Sequence, residues 1–88
     1  NGTCNYLTTQ MLETGRSYDQ VLEEAQRLGY AEADPTLDVS GMDAAHKAAI
    51  LASIAFTADL DFDKVAVQGV DTVELIALTL ADRLGLRI

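Results

Sequence analysis

The chain has 88 residues, 49% of them hydrophobic, enough for one small domain and too few for a second core. Its 14 acidic side chains against 6 basic ones give a formal charge of -8, which argues against nucleic acid or an anionic membrane as partner, since both would be repelled. Cys4 is the only cysteine, so no internal disulfide or zinc–thiolate cluster can form and a reducing cytoplasm is the expected setting.

Taken in chain order, Cys4, Leu7 and Met11 recur at helical spacing, Leu12 widens the stripe, and Gly15 follows as a stop. Ser17 opens a second helix carrying Val21, Leu22, Ala25 and Leu28, with Gln20 placed as its capping-box partner and Gly29 as its terminator. The segment Tyr30 to Ser40 holds the only proline, Pro35, several aspartates and no apolar stripe, and reads as an ordered loop. From about Gly41 to Thr57 an alanine-rich helix is expected, with Met42, Ile50, Leu51, Ile54 and Phe56 spread over more than one side, a pattern normally found at the centre of a fold. It includes the longest apolar run, Ala48 to Phe56, far short of the roughly 20 residues a bilayer-spanning helix needs. The "DLDFD" stretch reads as turn and helix-cap chemistry.

Val65 and Val67 then alternate with Ala66 and Gln68 before Gly69, as in a short half-buried strand. Asp71 and Glu74 open a last helix with Val73, Ile76, Ala77, Leu80 and Leu84 on one face and Gly85 at its end. Leu86 to Ile88 would begin another strand. The expected class is therefore α+β, with about four helices and one or two short strands whose sheet partners lie outside this chain, since strand backbone groups need partners. The opening "NGTCNY", without an initiator methionine, and the apolar close "GLRI" suggest a fragment of a longer protein.

The stretch "GYAEADPTLDVSGMDAAHK" collects Glu32, Asp34, Asp38 and Asp43 ahead of Lys47. Asp43 and Lys47 are four apart, one helical turn, and on spacing alone make an ordinary surface ion pair. Apart from His46 and Ser53, every other residue from Ala44 to Phe56 is apolar, which makes Lys47 a candidate proton carrier beside a carboxylate. His46 points away from it around the helix and reads as a packing or surface residue. Asp34, before Pro35, reads as turn chemistry. Calcium or magnesium would favour such oxygen ligands, but the D-x-D-x-D-G spacing of a calcium loop is missing and no metal is expected.

"NGTCNY", "EAQRLGYAEADPTLDVSGMDAAHKAAILASIAF" and "VAVQGV" together resemble the catalytic region of homoserine dehydrogenases over nearly the whole chain. The resemblance implies that residues 1–88 are part of the catalytic and substrate-binding domain of an NAD(P)-dependent oxidoreductase that interconverts homoserine and aspartate semialdehyde in threonine, methionine and isoleucine biosynthesis. In that domain helices pack on a mixed sheet that takes part in forming a homodimer. It places Lys47 and Asp43 at the substrate hydroxyl as catalytic residues, Glu32 and Asp38 at its ammonium, and Tyr30 and Thr3 on the pocket wall. Gly2 and Thr3 would pass close to the nicotinamide. The six glycines never form the G-x-G-x-x-G of a dinucleotide site, so NADP or NAD would be held mainly by a domain absent here, and the fragment alone is expected to be inactive.

Two other readings of the residues stay open. "VDTVELIALTLADRLGLRI" is similar to the second helix of acyl carrier proteins, although Gly69 stands where the attachment serine should be. A helical protein-interaction module would account for the same stripes by packing alone.

Overall fold

The computed structural model describes residues 1–57 and 59–88. Five α-helices carry the fold: α1 (Gly2–Thr14), α2 (Tyr18–Arg27), α3 (Thr36–Val39), α4 (Met42–Phe56) and α5 (Leu75–Arg83), with 3-10 turns at Phe62–Lys64 and Val70–Thr72.

The first two helices begin and end where side-chain chemistry allows. Asn1 caps α1 by accepting from the Cys4 N–H, and Gly15 ends it in the left-handed conformation (φ 69°) that costs glycine little. The capping box of α2 is complete, with Ser17 Oγ accepting from Gln20 N and Gln20 Oε1 accepting from Ser17 N. Asp34 Oδ1 accepts from the backbone N–H and the hydroxyl of Thr36, which turns the chain into a short helix, α3, inside the segment read as loop. Asp61, in "DLDFD", caps the 3-10 turn after it by accepting from Asp63 N.

The α+β expectation is corrected. Among the described residues there is no strand and no sheet. Val65–Gln68 and Leu86–Ile88 have the alternation or apolarity of strands, yet no neighbouring strand in this chain offers them a hydrogen-bonding edge, and they remain irregular. The last helix also starts later than Asp71. Residues Val70–Thr72 form a 3-10 turn, and α5 follows an extended Glu74 that caps it without a side-chain hydrogen bond.

α1 sits at the centre, packed against α2, α5 and α3. Leu7, Met11, Val21 and Ala25 are fully buried between them, joined by Leu78, Ala31 and Val39. Each large apolar side chain among them contributes about 1.5–3 kcal/mol by leaving water. α4 differs. Its only buried residue is Ala45, whereas Ile50 is 60% exposed, Leu51 66%, Ile54 74% and Phe56 78%, so the expected central helix is peripheral in this chain.

Gly41 and Gly69 hold α4 at its N-terminal end. Gly41 adopts φ 85°, and a Cβ there would come within 3.0 Å of the Gln68 carbonyl oxygen. At Gly69 a Cβ would lie 2.5 Å from the Val39 carbonyl oxygen and 2.8 Å from Ser40 Cα, closer than real Cβ atoms approach backbone. Two backbone segments therefore touch where no side chain fits, and this contact sets where α4 starts.

Candidate active site

The N-terminus of α1, the Tyr30 turn, α3 and the first turns of α4 enclose a cleft of about 540 Å³. It is lined by Asn1, Gly2, Thr3, Tyr6, Tyr30, Asp38, Asp43 and Lys47. The structure thus brings together Gly2, Thr3, Tyr30, Asp38, Asp43 and Lys47, and leaves Glu32 outside the lining. Glu32 is exposed, and its carbonyl accepts from Gln26 Nε2 at 3.0 Å. Asn1 and Tyr6 line the cleft without having been singled out in the sequence. Asn1 stands immediately before the Gly2–Thr3 pair, and Tyr6 falls one helical turn after Thr3, the only signals that pointed to either.

Lys47 Nζ donates to Asp43 Oδ2 at 2.9 Å along α4. This hydrogen bond holds the Asp43 carboxyl below the usual carboxylate range, with the lysine charge and a further donation from Asn1 in support and partial burial opposing. The Lys47 side chain is 64% exposed, so any dryness at the pair must come from outside the described residues. Asp38 comes from α3. Asn1 Nδ2 donates to its Oδ1 at 2.9 Å, and Thr3 Oγ1 lies 3.3 Å from its Oδ2. The Thr3 hydroxyl also reaches the Tyr30 carbonyl at 3.0 Å, and its one proton serves one acceptor at a time.

The Tyr30 ring rests on Tyr6, with centroids 5.0 Å apart and planes tilted by 59°. Tyr6 is itself anchored, donating its hydroxyl to Glu24 Oε1 at 3.3 Å, and Glu24 is paired with Arg16. Behind the cleft Cys4 Sγ donates to the Asp38 carbonyl at 3.1 Å. Burial pushes this thiol up from its usual value and the nearby Asp38 carboxylate adds to the shift, so it is a packing thiol and a poor nucleophile. His46 stacks on Phe62 at 4.5 Å, in keeping with a packing role.

The cleft therefore presents two carboxylates, an ammonium and the hydroxyl-bearing Thr3, Tyr6 and Tyr30 to a space with ample room for a small polar molecule. The acids suit a cationic group, and the Asp43–Lys47 pair can exchange a proton with a hydroxyl.

The family model for homoserine dehydrogenase matches residues 1–88. The chain belongs to the homoserine dehydrogenase family. It is 54% identical over 88 residues to a homoserine dehydrogenase of Pseudomonas aeruginosa, covering all of this chain and 20% of that protein. To the homoserine dehydrogenase of a Synechocystis strain it is 49% identical over 85 residues, again 20% of the relative's length. A crystal structure of a homoserine dehydrogenase from Thiobacillus denitrificans superposes with a TM-score of 0.94 at 46% identity, over all of this chain and 20% of that one. The S. aureus enzyme at pH 7.5 gives 0.92 at 40% identity, over 97% of this chain and 22% of that one. The chain thus spans about a fifth of the relatives it matches. The family match covers the whole chain, so the carrier-like likeness of the last helix is a local coincidence.

A nicotinamide cofactor goes with the family. Nothing on the cleft suits a pyrophosphate, since its charged side chains are two aspartates and one lysine.

Proposed function

We infer that this chain is the substrate-binding and acid–base segment of an NAD(P)-dependent homoserine dehydrogenase, which interconverts L-homoserine and L-aspartate 4-semialdehyde. The observation that carries the reading is the Asp43–Lys47 pair facing Asp38 across a cleft walled by Gly2, Thr3 and Tyr30. A bound nicotinamide, approaching beside Gly2 and Thr3, would supply the hydride acceptor.

Homoserine is a zwitterion with a hydroxyl at its far end. Asp38 takes its ammonium, Tyr30 and Thr3 close the wall around it, and Glu32, outside the lining in this chain, is the second carboxylate this reading assigns to the ammonium. At the other end the hydroxyl meets Lys47. As the C–H bond gives up its hydride, the hydroxyl proton passes to the Asp43–Lys47 pair, leaving a C=O bond, and Asp43 keeps the Lys47 ammonium or amine aimed at the oxygen. In the reverse direction the pair returns the proton to the aldehyde oxygen.

The fragment alone is inactive in this reading, because the dinucleotide-binding unit belongs to the rest of the protein. In the same reading the whole enzyme is a cytoplasmic homodimer, as the family resemblance implies. No helix among the described residues is long and apolar enough to cross a membrane.

The test is homoserine-dependent NAD(P)H formation by the full-length enzyme, native against Lys47→Ala and Asp43→Ala. Lys47→Ala is expected to lose about 10²–10⁴-fold in kcat, the usual range for a general acid–base group. A native-like rate for Lys47→Ala would reduce the pair to a helix ion pair. Glu32→Gln, measured alongside, should raise KM with kcat unchanged.

A further inference from the structure

Asp38 and Asp43 come from different helices, carry like charge and face one cleft; Lys47 offsets the charge of Asp43, and a donor shared by both carboxylates would hold the two together. The bridge is Asn1. Its Nδ2 donates to Asp38 Oδ1 at 2.9 Å and lies 3.3 Å from Asp43 Oδ2. The other end of the same amide is already committed, since Asn1 Oδ1 accepts from the Cys4 N–H at 3.0 Å as the cap of α1. That bond fixes which way the amide faces. Turned round, it would set an oxygen against two carboxylates and leave the helix N–H unpaired.

We propose that Asn1 is a positioning residue of this site, a neutral clip anchored to the start of α1 that holds the Asp38 and Asp43 carboxylates together at the cleft. Asn1 Nδ2 also lies 3.4 Å from the Asp38 carbonyl, which Cys4 Sγ holds more closely at 3.1 Å, and Thr3 Oγ1 supports the other carboxylate oxygen of Asp38 at 3.3 Å, so what Asn1 alone supplies is the link from Asp38 to Asp43. Asp43 Oδ2 is the oxygen that receives both Lys47 and Asn1. The shorter contact is to Asp38, the ammonium-binding acid of the proposed function, so loss of the clip should act on KM more than on kcat.

The kinetic form of this inference rests on that function, and the test separates the two. Asn1→Ser in the full-length enzyme keeps a good N-cap and loses the bridging N–H₂, so α1 still starts where it does. The expected result is about a tenfold fall in kcat/KM for homoserine, mostly in KM, with a melting temperature within about 2 °C of native. In an Asp38→Asn background the same substitution should cost much less, because the two residues act through one another. Native kinetics for Asn1→Ser, or an equal loss in both backgrounds, overturns the proposal. If the native enzyme does not oxidise homoserine, the function falls and the clip is judged by a crystal structure of Asn1→Ser. Separated Asp38 and Asp43 carboxylates would then uphold it, and unchanged ones would overturn it.

Discussion

The α1–α2–α5 core and helix α4 are both rich in apolar residues, yet they stand in opposite relation to water. Leu7, Met11, Val21 and Ala25 are completely buried, whereas Ile50, Leu51, Ile54 and Phe56 are each at least 60% exposed. The core residues of α1 and α2 face one another, whereas α5 adds only Leu78 and leaves Ile76 (65%), Leu80 (52%) and Leu84 (74%) of its expected stripe exposed. α4 is apolar on several sides, and its packing on α3, with the His46–Phe62 stack beside it, leaves those sides uncovered in this chain. The difference teaches that a division runs through the cleft itself: the buried α1 supplies its Gly2, Thr3 and Tyr6 wall, and α4, which this chain leaves uncovered, supplies Asp43 and Lys47.

Several substitutions would sharpen or break this division, and the largest effect belongs to the α4 side. Lys47→Ala should leave the melting temperature of the full-length enzyme nearly unchanged while removing about 3–5 kcal/mol of transition-state stabilisation, read from kcat. A large loss of stability instead would mean that α4 is part of the core. Leu7→Ala should do the reverse. A fully buried leucine removed from the α1 interface is expected to cost about 2–5 kcal/mol in denaturant unfolding, with kcat of the folded fraction retained.

Gly69→Ala tests the joint between the halves. The new methyl meets backbone on Val39 and Ser40, so about 1–3 kcal/mol of overpacking is expected, together with a raised KM because α3 and α4 must shift. Unchanged unfolding would show that this close approach relaxes freely. The smallest effect is in pH. Asp43 has a lowered folded pKa, so its pairing with Lys47 stabilises the fold above the ordinary carboxylate range and is lost as pH falls through the lowered value. Asp43→Asn should flatten that acid limb in a pH series of unfolding measurements, and an identical limb in both proteins would remove the pair from the account.

Much of the helical half was legible from local chemistry. Ser17 with Gln20, the left-handed Gly15 and the Asp34–Thr36 turn each depend on residues within a few positions of one another, so spacing sufficed. The strand expected at Val65–Gln68 was not legible in the same way, because alternation describes a strand only when another strand lies alongside it. The four-residue helix α3 was hidden by its length, too short for a periodic stripe to show.

For the site, the residues themselves singled out the carboxylates and Lys47, and the family resemblance added Tyr30, Thr3 and Gly2. Asn1 and Tyr6 act across the chain, on partners 37 and 18 residues away, and no local pattern announces such contacts. Glu32 shares the motif of Tyr30 and Asp38 yet stays outside the cleft lining, because the turn that aims Tyr30 inward sends its near neighbour to solvent.

By itself the sequence determined the helix boundaries set by caps and glycines, the acid-rich character of the site and the family. The first two follow from residue identity and short-range spacing, and the family from the resemblance of motifs spread over nearly the whole chain. Only the tertiary structure decided that α4 lies outside the core, that the alternating segment makes no sheet here, and that Asn1 joins two carboxylates. Each of those depends on which surfaces meet, and a meeting of surfaces distant in sequence leaves no signature in any one segment.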